Sequence, residues 1–154
     1  MDPERLVDLE EIKQLKARYF RLMDEKNWDA WADVFTVDCT MENGAPGHVT
    51  TGRSEIVAYV RRAVAHLVTV HHGHMPEIAF ESGRDATGVW ALYDLVEGKG
   101  YRMEGWGHYH DRYRRCDDGR WRIGSTRLTR LRVDASDPAI QDLLWPEGRE
   151  LRTW

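Results

Sequence analysis

Residues 70–75 read VHHGHM, and the three imidazoles of His71, His72 and His74 are the densest concentration of potential chemistry in the chain. Such a group can hold a metal, exchange protons, or simply half-fill a strand. In an extended chain successive side chains alternate, which sends His72 and His74 to one side and His71, with Thr69 and Gly73, to the other. Two same-side histidines can share a metal, but a catalytic zinc wants a third protein ligand, and no HExxH or similar grouping supplies one. Metal binding is therefore the weaker reading. Proton exchange needs only one histidine beside one carboxylate. An imidazole titrates near pH ~6.5, and a carboxylate on its far nitrogen fixes the tautomer and stabilises the imidazolium that forms.

The stretch ARYFRLMDEKNWDAW offers that carboxylate. Asp24 falls in the last turn of a helical pattern, where the helix dipole disfavours an acid by ~0.3–1 kcal/mol, so a specific partner would have to offset its placement. Tyr19, five residues earlier on the apolar stripe, could hydrogen-bond a substrate carbonyl and hold the enolate-like charge created when the adjacent C–H loses its proton. Taken without the histidines, the same pair reads as a core tyrosine and a solvated aspartate.

The elements that must position these groups are legible from periodicity. Leu6, Leu9, Ile12, Leu15, Tyr19 and Leu22 mark one face of a helix from Pro3 to about Glu25, and Trp28, Trp31, Ala32 and Phe35 mark a short second helix that forms a hairpin with it. Asn43-Gly44 and Pro46-Gly47 predict a strand pair joined by turns over residues 38–52. Ser54 reads as the N-cap of a third helix facing inward through Ile56, Val57, Val60, Ala63, Val64 and Leu67. Four extended segments follow, roughly 69–81, 86–97, 101–116 and 120–133, separated by turn signals. In the last pair Gly107, Tyr109, Asp111 and Tyr113 alternate with His108, His110, Arg112 and Arg114. One face is aromatic and the other cationic, read as a solvated or intersubunit side of the sheet. Asp111, on the aromatic face, calls for an internal arginine or a backbone group as partner, with a site role as the alternative. His108 and His110 receive no role. Asp137-Pro138 would cap a last short helix before LLWPEGRELRTW, an apolar ending suited to cover a neighbour or a pocket mouth.

Helices first and antiparallel strands afterwards imply an α+β fold, a curved sheet whose concave face is closed by helices. The 154 residues fit a single domain. With 42% hydrophobic and 31% charged residues the chain is globular. No apolar run approaches the ~20 residues of a spanning helix, and the acidic start Met1-Asp2-Pro3-Glu4 is unlike a secretory signal, so a cytoplasmic location without membrane partners is expected. A net charge of −4 gives no global attraction to nucleic acid. Cys39 and Cys116 lack the spacing of a zinc site or a disulfide framework.

Three blocks carry a resemblance: EEIKQLKARYFRLMDEKNWDAWADVF, VHHGHMPEIAFESGRDATGVWAL and GWGHYHDRYRRCDDGRWRI. In order and spacing they resemble the SnoaL-like branch of the nuclear transport factor 2-like superfamily over about residues 8–133, with 134–154 as a tail. The patterns nearest to it are those of the bile-acid 7α-dehydratases and, more distantly, the scytalone dehydratases. The resemblance implies a cone-shaped mixed or antiparallel sheet, with Tyr19 and Asp24 matching a tyrosine and an aspartate that close the first helix. It matches His71 to the histidine opening HxGHxPEI and Arg130 to a late arginine that could hold an anionic or carbonyl group. Tyr101 lies near a family tyrosine, whereas Met41 stands where the bile-acid enzymes carry one.

What the resemblance implies is a lyase without metal or organic cofactor, removing water or another β leaving group from a hydrophobic carbonyl compound, steroid-like or polyketide- and aromatic-like. His71 would move the α-proton, Asp24 orient it and Tyr19 polarise the carbonyl. Double-bond isomerisation by the same groups, or a subunit that only binds a small ligand, are the alternatives. Homo-oligomers, trimers ahead of dimers, are the usual assembly of such proteins.

Overall fold

Asp2 caps the first helix by accepting from the Glu4 amide, and Pro3 opens it, so α1 runs Pro3–Asp24 in a computed structural model that describes residues 2–148. It stops in a Schellman turn: the Lys26 amide donates to Met23 and the Asn27 amide to Leu22. Lys26 occupies the left-handed position with φ 62°, where glycine is the usual residue. A side chain there costs ~1–2 kcal/mol.

The second helix, α2, is Trp28–Ala32, shorter than the i, i+7 pattern implies. Phe35 is buried as predicted, but it opens a strand: the Ile123 amide donates to the Val34 carbonyl at 2.9 Å, and Phe35 pairs with Ile123. Distant strand pairing outweighs one more helical turn there. That strand, β1 (Phe35–Glu42), takes the two-residue β2 (Thr50–Thr51) on one side. The third helix, α3 (Arg53–Val64), is not capped by Ser54. Its N-cap is Gly52 at φ 93°, with no side-chain cap bond, and Ser54 lies inside the first turn.

Four long strands complete the sheet: β3 Val68–Phe80, β4 Asp85–Gly98, β5 Tyr101–Arg115 and β6 Trp121–Ala135. The order is β2-β1-β6-β5-β4-β3, antiparallel except for the parallel β1–β6 pair. This is the α+β curved sheet of the nuclear transport factor 2-like fold. Alternation holds along β5, with Met103, Gly105, Gly107, Tyr109, Asp111 and Tyr113 buried. Tyr109 among them packs against Tyr19 and Phe20 of α1, whose Ile12, Leu15 and Met23 are buried as well. Tyr19 packs edge-on to Phe20, Phe35 and Tyr109, and Trp31 meets Phe35 at 4.8 Å. Burial of each such ring contributes ~1.5–3 kcal/mol.

Asp111 is fully buried, but its partner is neither an arginine nor a backbone group. Lys16, also without exposure, reaches it from α1 at 2.7 Å, while the Thr126 and Tyr113 hydroxyls donate at 2.6 and 2.7 Å. Two apolar residues, Ile12 and Leu15, hide this lysine in the sequence pattern. On the outer face Arg112 and Arg114 are exposed and reach Glu81 and Asp38. The last helix, α4 (Pro138–Leu144), is capped by Asp137, and Trp145 buries itself against Val96, Met103 and Val133. Residues 149–154 of the apolar tail lie outside the described residues. Among the described residues no helix is long and apolar enough to cross a membrane.

Candidate active site

The last turn of α1 and the start of β3 meet where Asp24 reaches His71. Nδ1 of His71 lies 2.7 Å from Asp24 Oδ1, the His71 amide donates to Oδ2 at 2.9 Å, and the Thr69 hydroxyl donates to Oδ1 at 2.9 Å. Three donors more than offset the dipole penalty on a carboxylate in that turn. The amide is available because β3 is the edge strand of the sheet, so a side chain can take a donor that no neighbouring strand claims. With Nδ1–H directed at Asp24, the lone pair of the imidazole sits on Nε2.

His71 lies in the wall of a cavity of about 300 Å³. Tyr19 comes to that wall from α1, Val60 and Val64 from α3, Asp94 from β4, Tyr101, Met103 and Tyr109 from β5, Leu128 and Arg130 from β6, and Leu144 from α4. So the five residues singled out by sequence, Tyr19, Asp24, His71, Tyr101 and Arg130, converge here, Asp24 through its bonds to His71. The outcome for the other histidines follows the alternation. His72 and His74 are exposed on the opposite face, their rings 5.7 Å apart. Among the described residues no group of three or more His, Cys, Asp or Glu side chains is placed to hold a metal ion. Trp106 stands on the outer face against Tyr93, and Tyr109 lines the cavity without filling it. A larger groove of about 610 Å³ along Leu6, Val7 and Trp121 includes none of these residues.

Arg130 does not face the cavity unpaired. Its two terminal nitrogens donate to Asp94 at 2.7 and 2.9 Å, with both side chains nearly inaccessible. Gly105 makes room for this pair, because a β-carbon there would collide with Arg130 Nη1 and Asp94 Oδ1. Burial pushes the hydroxyls of Tyr19, Tyr101 and Tyr109 above the usual tyrosine range, with nearby carboxylates adding to the effect. All three remain protonated donors at neutral pH. The Tyr109 hydroxyl is shielded and has no partner among the described residues, a state that costs ~1–3 kcal/mol.

Sequence reasoning missed Asp94, Thr69 and Lys26. Asp94 had a signal: it shares the apolar alternation of Trp90, Leu92 and Val96, and an acid on such a face needs a cation. Lys26 donates to the Thr69 hydroxyl at 2.6 Å, a contact across 43 residues with no local signature.

Residues 4–127 match the family model of the SnoaL-like domain. Among solved structures, a putative scytalone dehydratase from Novosphingobium aromaticivorans superposes with a TM-score of 0.78 at 21% identity, covering 87% of this chain and 91% of its own. A hexachlorocyclohexane dehydrochlorinase also gives 0.78, at 15% identity over 90% of this chain and 95% of its own. A protein of unknown function from Mycobacterium tuberculosis reaches 0.76 at 27% identity, covering 99% of this chain and 92% of its own.

Proposed function

The chain belongs to the SnoaL-like domain family, and from that premise we propose that it is a lyase eliminating a β leaving group, water above all, from a small hydrophobic carbonyl compound. The observation that carries this reading is the 2.7 Å Asp24–His71 contact in the wall of an apolar cavity. His71 Nε2 takes the α-proton, and the C–H electron pair becomes the enolate, whose oxygen the Tyr19 hydroxyl stabilises. Collapse of the enolate expels the β-hydroxyl, which leaves as water with the proton that Nε2 has just acquired. Asp24 orients the ring through Nδ1 and steadies the transient imidazolium. The elimination chemistry of the two named neighbours, a putative dehydratase and a dehydrochlorinase, agrees with this class of reaction.

The cavity narrows the substrate. At about 300 Å³ it lies at the lower end of the ~300–1,000 Å³ common for small-molecule sites, which suits one or two fused rings rather than a four-ring steroid. Arg130 is already neutralised by Asp94, so an uncharged ligand fits better than a carboxylate.

A hydroxylated tetralone, whose dehydration yields a strongly absorbing naphthol, is the test. Wild type should form the naphthol, and His71→Ala should lose ~10²–10⁴ of that rate with an unchanged circular dichroism spectrum. Equal rates in the two proteins would remove the basis for the lyase.

A further inference from the structure

The dyad is the end of a longer chain of contacts. Lys26 Nζ donates to Thr69 Oγ1 at 2.6 Å, Thr69 donates to Asp24 Oδ1 at 2.9 Å, and Asp24 holds His71 Nδ1 at 2.7 Å. Thr69 is buried, while Lys26 and Asp24 are half-buried, so these bonds are partly shielded from water.

The start of this chain is strained. Lys26 fills the left-handed position of the Schellman turn with φ 62°, where glycine would close the same two backbone bonds without a β-carbon penalty. Strain of this kind persists where something else over-determines it, and it gathers at functional sites. Here the side chain that glycine would lack is the one bonded to Thr69.

We propose that Lys26 and Thr69 are positioning residues that fix the Asp24 carboxylate, and through it the His71 ring, with the backbone strain at Lys26 accepted for that purpose. The assignment rests on the acid–base reading of the dyad. Thr69 has one hydroxyl hydrogen, and with Lys26 donating to its oxygen that hydrogen is directed at Asp24. The same Asp24 oxygen therefore receives Thr69 and His71 together, which locks the carboxylate plane. Lys26 also adds a positive charge behind the carboxylate. The other titratable or charged groups around His71 are Tyr19 on α1, Asp94 directly across on β4, Tyr101 and Tyr109 on β5, and Arg130 on β6. Arg130 and Asp94 cancel each other, and the tyrosines stay neutral. Beside them Lys26 adds a cation whose charge partner is Asp24 itself.

The test is a proton NMR titration of the histidine Cε1–H signals, with His71 assigned by its loss in His71→Gln, run beside thermal melts. In Lys26→Gly the strain is relieved, so the melting temperature should hold or rise, yet the His71 midpoint should move up by about 0.5–1 pH unit. Thr69→Val should move it the same way, whereas Lys26→Arg and Thr69→Ser should keep it near wild type. A His71 midpoint unchanged in Lys26→Gly overturns the proposal, whatever the melting temperature does. The titration uses no substrate, so it separates the two readings. No tetralone turnover together with a shifted midpoint would sink the lyase and leave the positioning role standing.

Discussion

Arg130 commits both terminal nitrogens to Asp94, at 2.7 and 2.9 Å, so this guanidinium in the cavity wall is paired without any ligand. Such a pair is worth little net against an apolar replacement, but losing one partner strands a buried charge at a cost of ~3–5 kcal/mol. Asp94→Ala should therefore destabilise the protein by about that much in urea unfolding. Gly105→Ala, which removes neither charge, should also lower stability, by ~1–3 kcal/mol, because its β-carbon must displace the pair. A Gly105→Ala protein as stable as wild type would show that the pair has slack.

Tyr19 separates packing from chemistry. Its ring meets Phe20, Trp31, Phe35 and Tyr109. Tyr19→Phe keeps all of these contacts and deletes one hydroxyl. Under the lyase reading kcat on the tetralone should fall by ~10²–10³ with KM little changed, as for removal of an oxyanion donor. Steady-state kinetics decide, and a change in KM alone would move Tyr19 from catalysis to binding.

How much of this was legible depended on range. The β5 strand could be read because Tyr109, Asp111 and Tyr113 alternate with His110 and Arg112, a signal contained within a few residues. Asp24 stood out because a carboxylate at a helix C-terminus is unfavourable, and the structure supplies its three donors. Pairings across the fold left no trace of which partner would be met. Asp94 finds Arg130, Lys26 finds Thr69, and Lys16 finds Asp111, each over tens of residues. Phe35 shows the other failure, where helical spacing continued by chance into a residue that strand pairing with Ile123 had already claimed. Gly52 at φ 93° displaced Ser54 as the cap because the turn leaving β2 needs the left-handed backbone more than it needs a side-chain acceptor.

Lys16 and Asp111 are both fully buried, and Lys16 Nζ also lies 4.0 Å from the centre of the Tyr109 ring and 4.3 Å from that of Tyr19. Burial pushes the Lys16 ammonium down and Asp111 opposes it. Lys16→Met alone should cost ~3–5 kcal/mol, since Asp111 keeps its two hydroxyl donors but loses its cation. Adding Asp111→Asn should recover part of that loss, giving a coupling energy of ~1–3 kcal/mol in a double-mutant cycle. Simple additivity of the two substitutions would mean that the pair does not act as a unit.

Asp33 contributes to the acid limb of stability. It accepts from Arg120 at 2.7 Å and Arg122 at 3.0 Å; burial would push its carboxyl up, but the two guanidiniums outweigh that and hold it below the usual aspartate value. A depressed carboxylate stabilises the fold fully above its unfolded value near ~3.9, and that contribution is lost as pH falls through the folded value. The side chain is 44% exposed, so solvent screening limits the effect to roughly 0.5–1 kcal/mol. Asp33→Asn should thus lower the melting temperature by about 1–4 °C at pH 7. In parallel melts carried from pH 7 into the acid range the gap to wild type should narrow as pH falls through the depressed folded value, where the Asp33 carboxylate takes up its proton. A gap that widens on acidification would contradict the assignment of Asp33 as the ionised partner of Arg120 and Arg122.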